Sequence, residues 1–237
     1  REVERVVAAA GPQDTILAGG GNDTLDFSSQ TLSGFVVDGG AGDDRIAGSS
    51  FGNDTLFGGS GRDIADYSYV ATGLQATMNA SGTVTVTAGP GDTDVLVDME
   101  GLAGGAGNDV FLLVNANADT LAFDGGGGDD TLLGGDGIVD ILNVANGLSN
   151  LVSIERVDGG TGPQNTILGT SGADTLDFSA ITVANFIIDG NGGDDRITGT
   201  GANDRIEGGA GLDRIDYSAA AIALDTTLDS TGTITVA

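Results

Sequence analysis

The stretch Gly39-Gly40-Ala41-Gly42-Asp43-Asp44-Arg45-Ile46-Ala47 decides the fold. Its glycines permit positive φ and a tight turn that no β-branched residue can follow. With no Cβ in the way, backbone carbonyls can converge on one point. Asp44, the sixth residue, adds a hard charged oxygen, and calcium takes roughly six to eight oxygens from carboxylates and carbonyls. The closing Arg-Ile-Ala is a minimal strand whose middle side chain alone faces inward. One such step buries one side chain, so it is stable only when stacked on others.

The stretch has copies throughout the chain. Gly104 to Leu112, Gly125 to Leu133 and Gly208 to Asp216 repeat it cleanly. Looser copies end their loops at Asp23, Asp54, Asp63, Asp119, Asp140, Asp174, Asp195 and Asp204. Two residues after the Asp comes a large apolar residue, as in Leu25, Ile46, Leu56, Phe111, Leu132 and Ile197, with Ala65 the small exception. Lone Asp-Gly and Asn-Gly pairs mark ordinary turns. Many copies in register mark a stack. A longer repeat of about 150 residues encloses the short one: Val3-Glu4-Arg5-Val6 returns as Ile154-Glu155-Arg156-Val157, and Asp66-Tyr67-Ser68 as Asp216-Tyr217-Ser218. We expect a first repeat block over 1–68, a Thr/Val-rich strand segment over 69–101 and a second block over 102–153. A second long unit then begins at 154–237. It stops inside a strand-like segment, and we expect a longer parent protein.

Composition narrows the function. The chain holds 35 Asp+Glu against 8 Lys+Arg, a net charge of -27, which repels nucleic acid and anionic membranes and attracts cations. A hydrophobic share of 39% argues against disorder, and 3 Pro without a Gly-X-Y period exclude collagen. Cys and His are absent, which removes disulfides, nearly all zinc chemistry and the commonest general base. No run of 18 apolar residues is present to span a membrane. An enzyme would have to work with carboxylates alone, and the repeat accounts for nearly all of them. No catalytic residue is expected. Arg196, Arg205 and Arg214, nine apart, are expected to pair with neighbouring Asp. Phe27, Tyr67, Phe178 and Tyr217 are expected to cap stacked blocks rather than to hold a sugar. Thr83, Thr85 and Thr87 occur once per long unit, which argues against an ice-binding rank.

The Gly-Gly-x-Gly-x-Asp-x-U-x step, with U a large apolar residue, resembles the haemolysin-type calcium-binding repeats, the repeats-in-toxin (RTX) family. The resemblance implies an all-β fold, a right-handed parallel β-roll or β-solenoid with two nonapeptides per coil. It implies several calcium ions, each between same-side loops of successive coils and held by position-six Asp and loop carbonyls. Those roles fall on Asp23, Asp44, Asp54, Asp63, Asp109, Asp130, Asp174, Asp195, Asp204 and Asp213, in loops opened by glycines such as Gly39, Gly104, Gly125 and Gly208. At position five, Asp43, Asn108, Asp129, Asp194 and Asn203 either add a ligand or support the turn. In the last block, Asp195 and Asp213 should share a side and Asp204 the opposite one. Loops before Asp54, Asp119, Asp140 and Asn165 depart from the motif and read as structural coils. Asp98-Met99-Glu100 and Ser153-Ile154-Glu155 resemble the step that leads into a new block.

These readings point to a calcium-binding structural or adhesive region of a large extracellular bacterial protein, such as a fibre, matrix or surface-layer component. It would fold on calcium after secretion, with neighbouring copies of the repeat as partners, including end-to-end assembly. The alternative is a folding and secretion module of an enzyme or toxin whose catalytic domain lies outside this chain.

Overall fold

The computed structural model describes residues 15–31, 34–79, 83–113, 117–118, 122–134, 141–143, 148, 151–160, 165–200, 205–218, 226–228 and 234–236. It is an all-β parallel solenoid. The first sheet has ten strands in the spatial order β1 (Thr15–Leu17), β3 (Val36–Ala41), β5 (Thr55–Ser60), β9 (Asp92–Val97), β8 (Val84–Gly89), β7 (Gln75–Met78), β11 (Val110–Leu113), β14 (Thr131–Gly134), β17 (Arg156–Asp158) and β20 (Thr182–Ala184). The second has six: β16 (Leu151–Val152), β13 (Ala122–Asp124), β10 (Gly101–Ala103), β6 (Ile64–Asp66), β4 (Arg45–Ala47) and β2 (Thr24–Asp26). A third wall contains β12 (Asn117–Ala118), β15 (Ile141–Asn143), β18 (Asn165–Leu168), β21 (Phe186–Asp189) and β23 (Arg205–Glu207). The fourth contains β19 (Thr175–Asp177), β22 (Arg196–Thr198) and β24 (Arg214–Asp216). β25 (Thr226–Leu228) and β26 (Ile234–Val236) form an antiparallel pair.

The short strands are held by stacking. Leu25, Ile46, Ala65, Leu102, Phe123 and Leu151 lie in register along the second sheet, all buried. Ile16, Val37, Leu56 and Leu96 do the same in the first. Fully burying one such side chain contributes roughly 1.5–3 kcal/mol, so the ladder works as a sum over coils. Phe111 and Phe123 meet across the interior at 5.1 Å between ring centres.

The stack is irregular in two ways that the repeat did not announce. First, β7, β8 and β9 form an antiparallel meander inside the first sheet. It separates β5 from β11 by three strands, while β6 and β10 remain direct neighbours on the other wall. Tyr67 and Tyr69, stacked at 6.0 Å, help fill the widened interior, where Tyr67 is fully buried. Second, the expected two strands per coil become three once the third wall begins. The 18-residue coil holds at the C-terminal block: β22 pairs with β24 in one sheet and β23 with β21 in another. Ile197, Ile206 and Ile215 therefore belong to two facing ladders. Asp119, Asp140, Asn203 and Asp204 lie outside the described residues.

Candidate calcium-binding loops

The loops between strands stack as ladders of their own. The carboxylates of Asp44, Asp63, Asp109, Asp130, Asp195 and Asp213 reach back to the preceding coil. Asp44 Oδ1 accepts the Asp23 N–H at 2.8 Å, and Asp63 Oδ1 accepts the Asp44 N–H at 2.8 Å. On the other side, Asp130 Oδ1 accepts the Asp109 N–H at 2.7 Å, and Asp109 Oδ1 accepts that of Leu74 at 2.9 Å. In the last block Asp195 Oδ1 accepts the Asp174 N–H at 2.9 Å and Asp213 Oδ1 that of Asp195 at 3.1 Å.

The second carboxylate oxygen is where the loops differ. Oδ2 of Asp44, Asp63, Asp130 and Asp195 is buried without a hydrogen-bond partner. Each lies against the first glycine of its own loop, where a carbonyl of the next coil also arrives. A Cβ on Gly39 would strike Asp44 Oδ2 and lie 2.8 Å from Gly58 O; one on Gly190 would strike Asp195 Oδ2 and lie 2.5 Å from Gly208 O. Around Gly58 and Gly125 the arriving carbonyls are those of Asp98 and Ser153. Each cradle thus pairs an unsatisfied carboxylate oxygen with a carbonyl oxygen, and glycine keeps it open. Such a buried set is costly without a positive partner. Its hard oxygens fit calcium. Among the described residues no three acidic side chains converge, so carbonyls must supply much of any ligand shell.

The RTX calcium-binding nonapeptide repeat family matches this chain in four copies, over residues 13–30, 36–65, 123–138 and 189–219. These four stretches are RTX calcium-binding nonapeptide repeats. No curated protein and no solved structure matches it.

The RTX loops fall into two conformations. In the four with an unpartnered Oδ2, residue two is left-handed: Gly40, Gly59, Gly126 and Asn191, with φ of 94° at Gly40 and 73° at Asn191. In the other conformation residue two is not left-handed, and its own N–H satisfies the carboxylate. Gly105 donates to Asp109 Oδ2 at 2.8 Å and Thr170 to Asp174 Oδ2 at 2.7 Å; in the Asp54 loop, which counted from Gly48 is one residue longer, Ser49 donates to Asp54 Oδ2 at 2.7 Å. We term these open and closed loops. Asp23 and Asp213, the outermost of these carboxylates among the described residues, follow Gly19 and Gly209 at φ 101° and 96° and are part-exposed.

Position five runs a separate ladder in the opposite sense. The side-chain oxygens of Asp43, Asn108 and Asp194 accept N–H groups of Arg62, Asp129 and Leu212 in the following coil. Asp129 itself is exposed. Gly104, Gly125 and Gly208 each stand against the carboxylate of their own loop.

Three carboxylates outside the nonapeptides join the ladders. Glu100 Oε2 accepts the Asp63 N–H at 2.9 Å, and Glu155 Oε2 accepts that of Asp130 at 2.8 Å. Two residues before each stands a left-handed residue, Asp98 or Ser153, whose carbonyl reaches the cradle. A three-residue arc with a longer acid thus replaces a six-residue loop. Asp94, in the meander, accepts the Asp54 N–H at 2.7 Å and the Tyr67 hydroxyl at 2.8 Å. Asn165 shows what the cradle asks for. It occupies the Asp position, and its Nδ2 donates to Gly159 O, supplying a donor where an Asp has none.

Burial sets the local acidity. It pushes Asp44 and Asp109 above the usual carboxylate range, Asp130 up to about 6 and Asp94 up to about 7. Burial and then the nearby Asp94 raise the Tyr67 hydroxyl. The arginines sit outside: Arg196 pairs with Asp216 at 2.5 Å and Arg205 with Glu207 at 2.8 Å, while Arg214 lies 3.7 Å from Asp216. Tyr67 and Phe178 are fully buried and present no ring to a ligand.

Proposed function

We propose that this chain is a calcium-loaded, non-catalytic rod segment of a large extracellular bacterial protein, with a structural or adhesive role, that folds on calcium after secretion. The observation that carries this reading is the set of four buried, unpartnered carboxylate oxygens, each facing a glycine cradle and a carbonyl of the next coil. Calcium, when bound, supplies the positive charge those oxygens lack. Asp44, Asp63, Asp130 and Asp195 are the principal carboxylate ligands in this reading, with carbonyls of the first loop glycines and of Asp98 and Ser153. Asp23 and Asp213 complete the end sites. The Asp54, Asp109 and Asp174 loops satisfy their own carboxylates and depend less on metal. Proteins carrying these repeats are typically secreted. Extracellular modules bind calcium with Kd values of about 10⁻⁴–10⁻³ M, well matched to the space outside a cell. The long repeat of about 150 residues suits a rod assembled from tandem units.

The test is a calcium titration of the chelator-treated chain followed by circular dichroism. We expect little β signal in chelator and a cooperative gain in the millimolar range, with magnesium a poor substitute because it demands a small octahedral shell. Equal β signal and equal thermal stability in chelator and in calcium would overturn the reading.

A further inference from the structure

Each cradle with an unpartnered Oδ2 receives a second carboxylate from the next coil. Its place is marked by the N–H of the position-six Asp. Asp63 accepts that N–H from Asp44, and Asp213 accepts it from Asp195, both as position-six residues of nonapeptides. Beyond Asp63 and Asp130 a three-residue arc stands in place of a nonapeptide loop, yet an acid still fills the place, Glu100 or Glu155. Each stands one residue before the pairing of Gly101 with Ile64 or of Arg156 with Thr131, in line with its Asp. Glu is rare in this acidic chain. The residues are Glu2, Glu4, Glu100, Glu155 and Glu207, and Glu4 holds the place of Glu155 in the long repeat.

Capping an N–H does not require a charge. An amide or hydroxyl oxygen accepts it and adds no repulsion. The glutamates do add it: burial, and then the charges of Asp109 and Glu155, push Asp130 up to about 6. Among the described residues neither glutamate side chain makes a second hydrogen bond or an ion pair, and Arg156, next to Glu155, turns to Asp158. Two other places show the alternatives. At Gly159 a left-handed residue, Asn185, again brings its carbonyl to a glycine, but the residue facing it is Asn165 and the one in register with that is Phe186. Both acids are missing there together. At Asp54 both acids are present, Asp54 and Asp94, and the hydroxyls of Ser49 and Tyr67 donate to their Oδ2 atoms. Only at the arcs do paired acids stand without a donor for the buried Oδ2 of Asp63 or Asp130.

We propose that Glu100 and Glu155 are calcium ligands, the second carboxylates of the sites headed by Asp63 and Asp130. The assignment rests on the calcium reading of the cradles and extends it to two residues outside the nonapeptide motif. Glu100 is half-buried and Glu155 exposed, so each site is open to solvent on the glutamate's side. Calcium there ties an arc to the nonapeptide before it. The dependence on metal then runs across the boundaries between repeat blocks instead of stopping at them.

Glu100→Gln and Glu155→Gln separate a ligand from a cap, because the amide keeps an oxygen for the N–H of Asp63 or Asp130 and loses the charge. Calcium binding to the full chain is measured by calorimetry at fixed ionic strength, beside circular dichroism in saturating calcium. Each variant should keep the parent spectrum and bind one calcium about tenfold or more weaker, since affinity follows ligand charge. The double variant should weaken two. Glu207→Gln removes an exposed charge paired with Arg205 and should bind calcium as the parent does. Parent-like affinity in either arc variant would leave that glutamate an N–H acceptor only and overturn its assignment. A parent chain that binds no calcium overturns the calcium reading itself, and the assignment with it. Where a variant does not fold, the infrared spectrum of the parent chain decides. With isotope-labelled Glu side-chain carboxyls, the calcium-loaded chain should show the shifted antisymmetric stretch of metal-bound carboxylate, and a spectrum of free glutamates alone overturns the proposal.

Discussion

Asp44 and Asn165 hold equivalent places in their loops and differ in one atom. In Asp44 that atom is Oδ2, buried beside Gly39 with no partner; in Asn165 it is Nδ2, bonded to the carbonyl of Gly159. A cation and an amide donor therefore answer the same electrostatic demand. Two exchanges follow. Asp44→Asn should keep the coil, lower calcium stoichiometry by one and make the N-terminal coils less dependent on metal. Asn165→Asp should do the reverse, since an unpartnered buried carboxylate costs on the order of 1–3 kcal/mol or more. Calcium-binding stoichiometry by calorimetry, beside melting in chelator, checks both; unchanged stoichiometry in each variant would refute the assignment of Oδ2 to metal. The motif made the position-six Asp legible from sequence. It could not separate open loops from closed ones. Gly104–Asp109 and Gly125–Asp130 are equally clean copies, yet Gly105 turns its N–H onto its own Asp and Gly126 does not. Glycine permits both conformations, so its identity leaves the choice to the neighbouring coil. For Gly105 that neighbour is the segment leading from Tyr67 to Leu74, to which Ala106 is bonded through Val70 O.

Strand alternation through Thr83-Val84-Thr85-Val86 was readable, and strands are present there. That they form an antiparallel insert in one wall was not readable, because alternation fixes which face a residue takes and says nothing about which strand lies beside it. The third wall was hidden for a related reason: the nonapeptide spacing describes loops and does not count the straight segments between them. The insert has a chemical consequence at Asp94. Its register places Asp94 opposite Val86 and beside Asp54, under the Tyr67 hydroxyl, and burial lifts it to about 7. A carboxyl raised in the folded state above its unfolded value of about 3.9 binds more protons when folded. Its stabilising protonation is present at acid pH and is lost as pH rises through about 7. Three units correspond to on the order of 4 kcal/mol. Asp94→Asn keeps an oxygen for the Asp54 N–H and removes the titration. In calcium, the melting temperature of the parent chain should fall relative to Asp94→Asn between pH 5 and pH 8. Parallel pH profiles for the two would show that Asp94 is ionised throughout.

At the scale of the whole molecule, two explanations for calcium-dependent folding have to be separated. Calcium could act by screening a net charge of -27, or by entering particular cradles. Screening is a property of ionic strength: the Debye length falls to about 3 Å at 1 M salt and is already about 8 Å at physiological strength. It relieves repulsion between exposed acids such as Asp26, Asp98 and Asp129. It does nothing for Oδ2 of Asp63, 0% exposed as a residue and enclosed by Gly58 and the Asp98 carbonyl. Those buried oxygens need a specific partner, and their spacing along the stack ties each site to the coil on either side. Loss of one should loosen its neighbours first, because a solenoid's coils contact only adjacent coils. In chelator, therefore, 1 M sodium chloride should restore only a minor part of the β signal, and a few millimolar calcium at low ionic strength should restore it fully. The same titration on Asp63→Ala should lose cooperativity in the coils around β4, β6 and β10 while the block around Asp195 still folds, a split that amide hydrogen exchange resolves by segment. Full recovery in sodium chloride alone would assign the switch to bulk electrostatics and leave the cradles without a role in it.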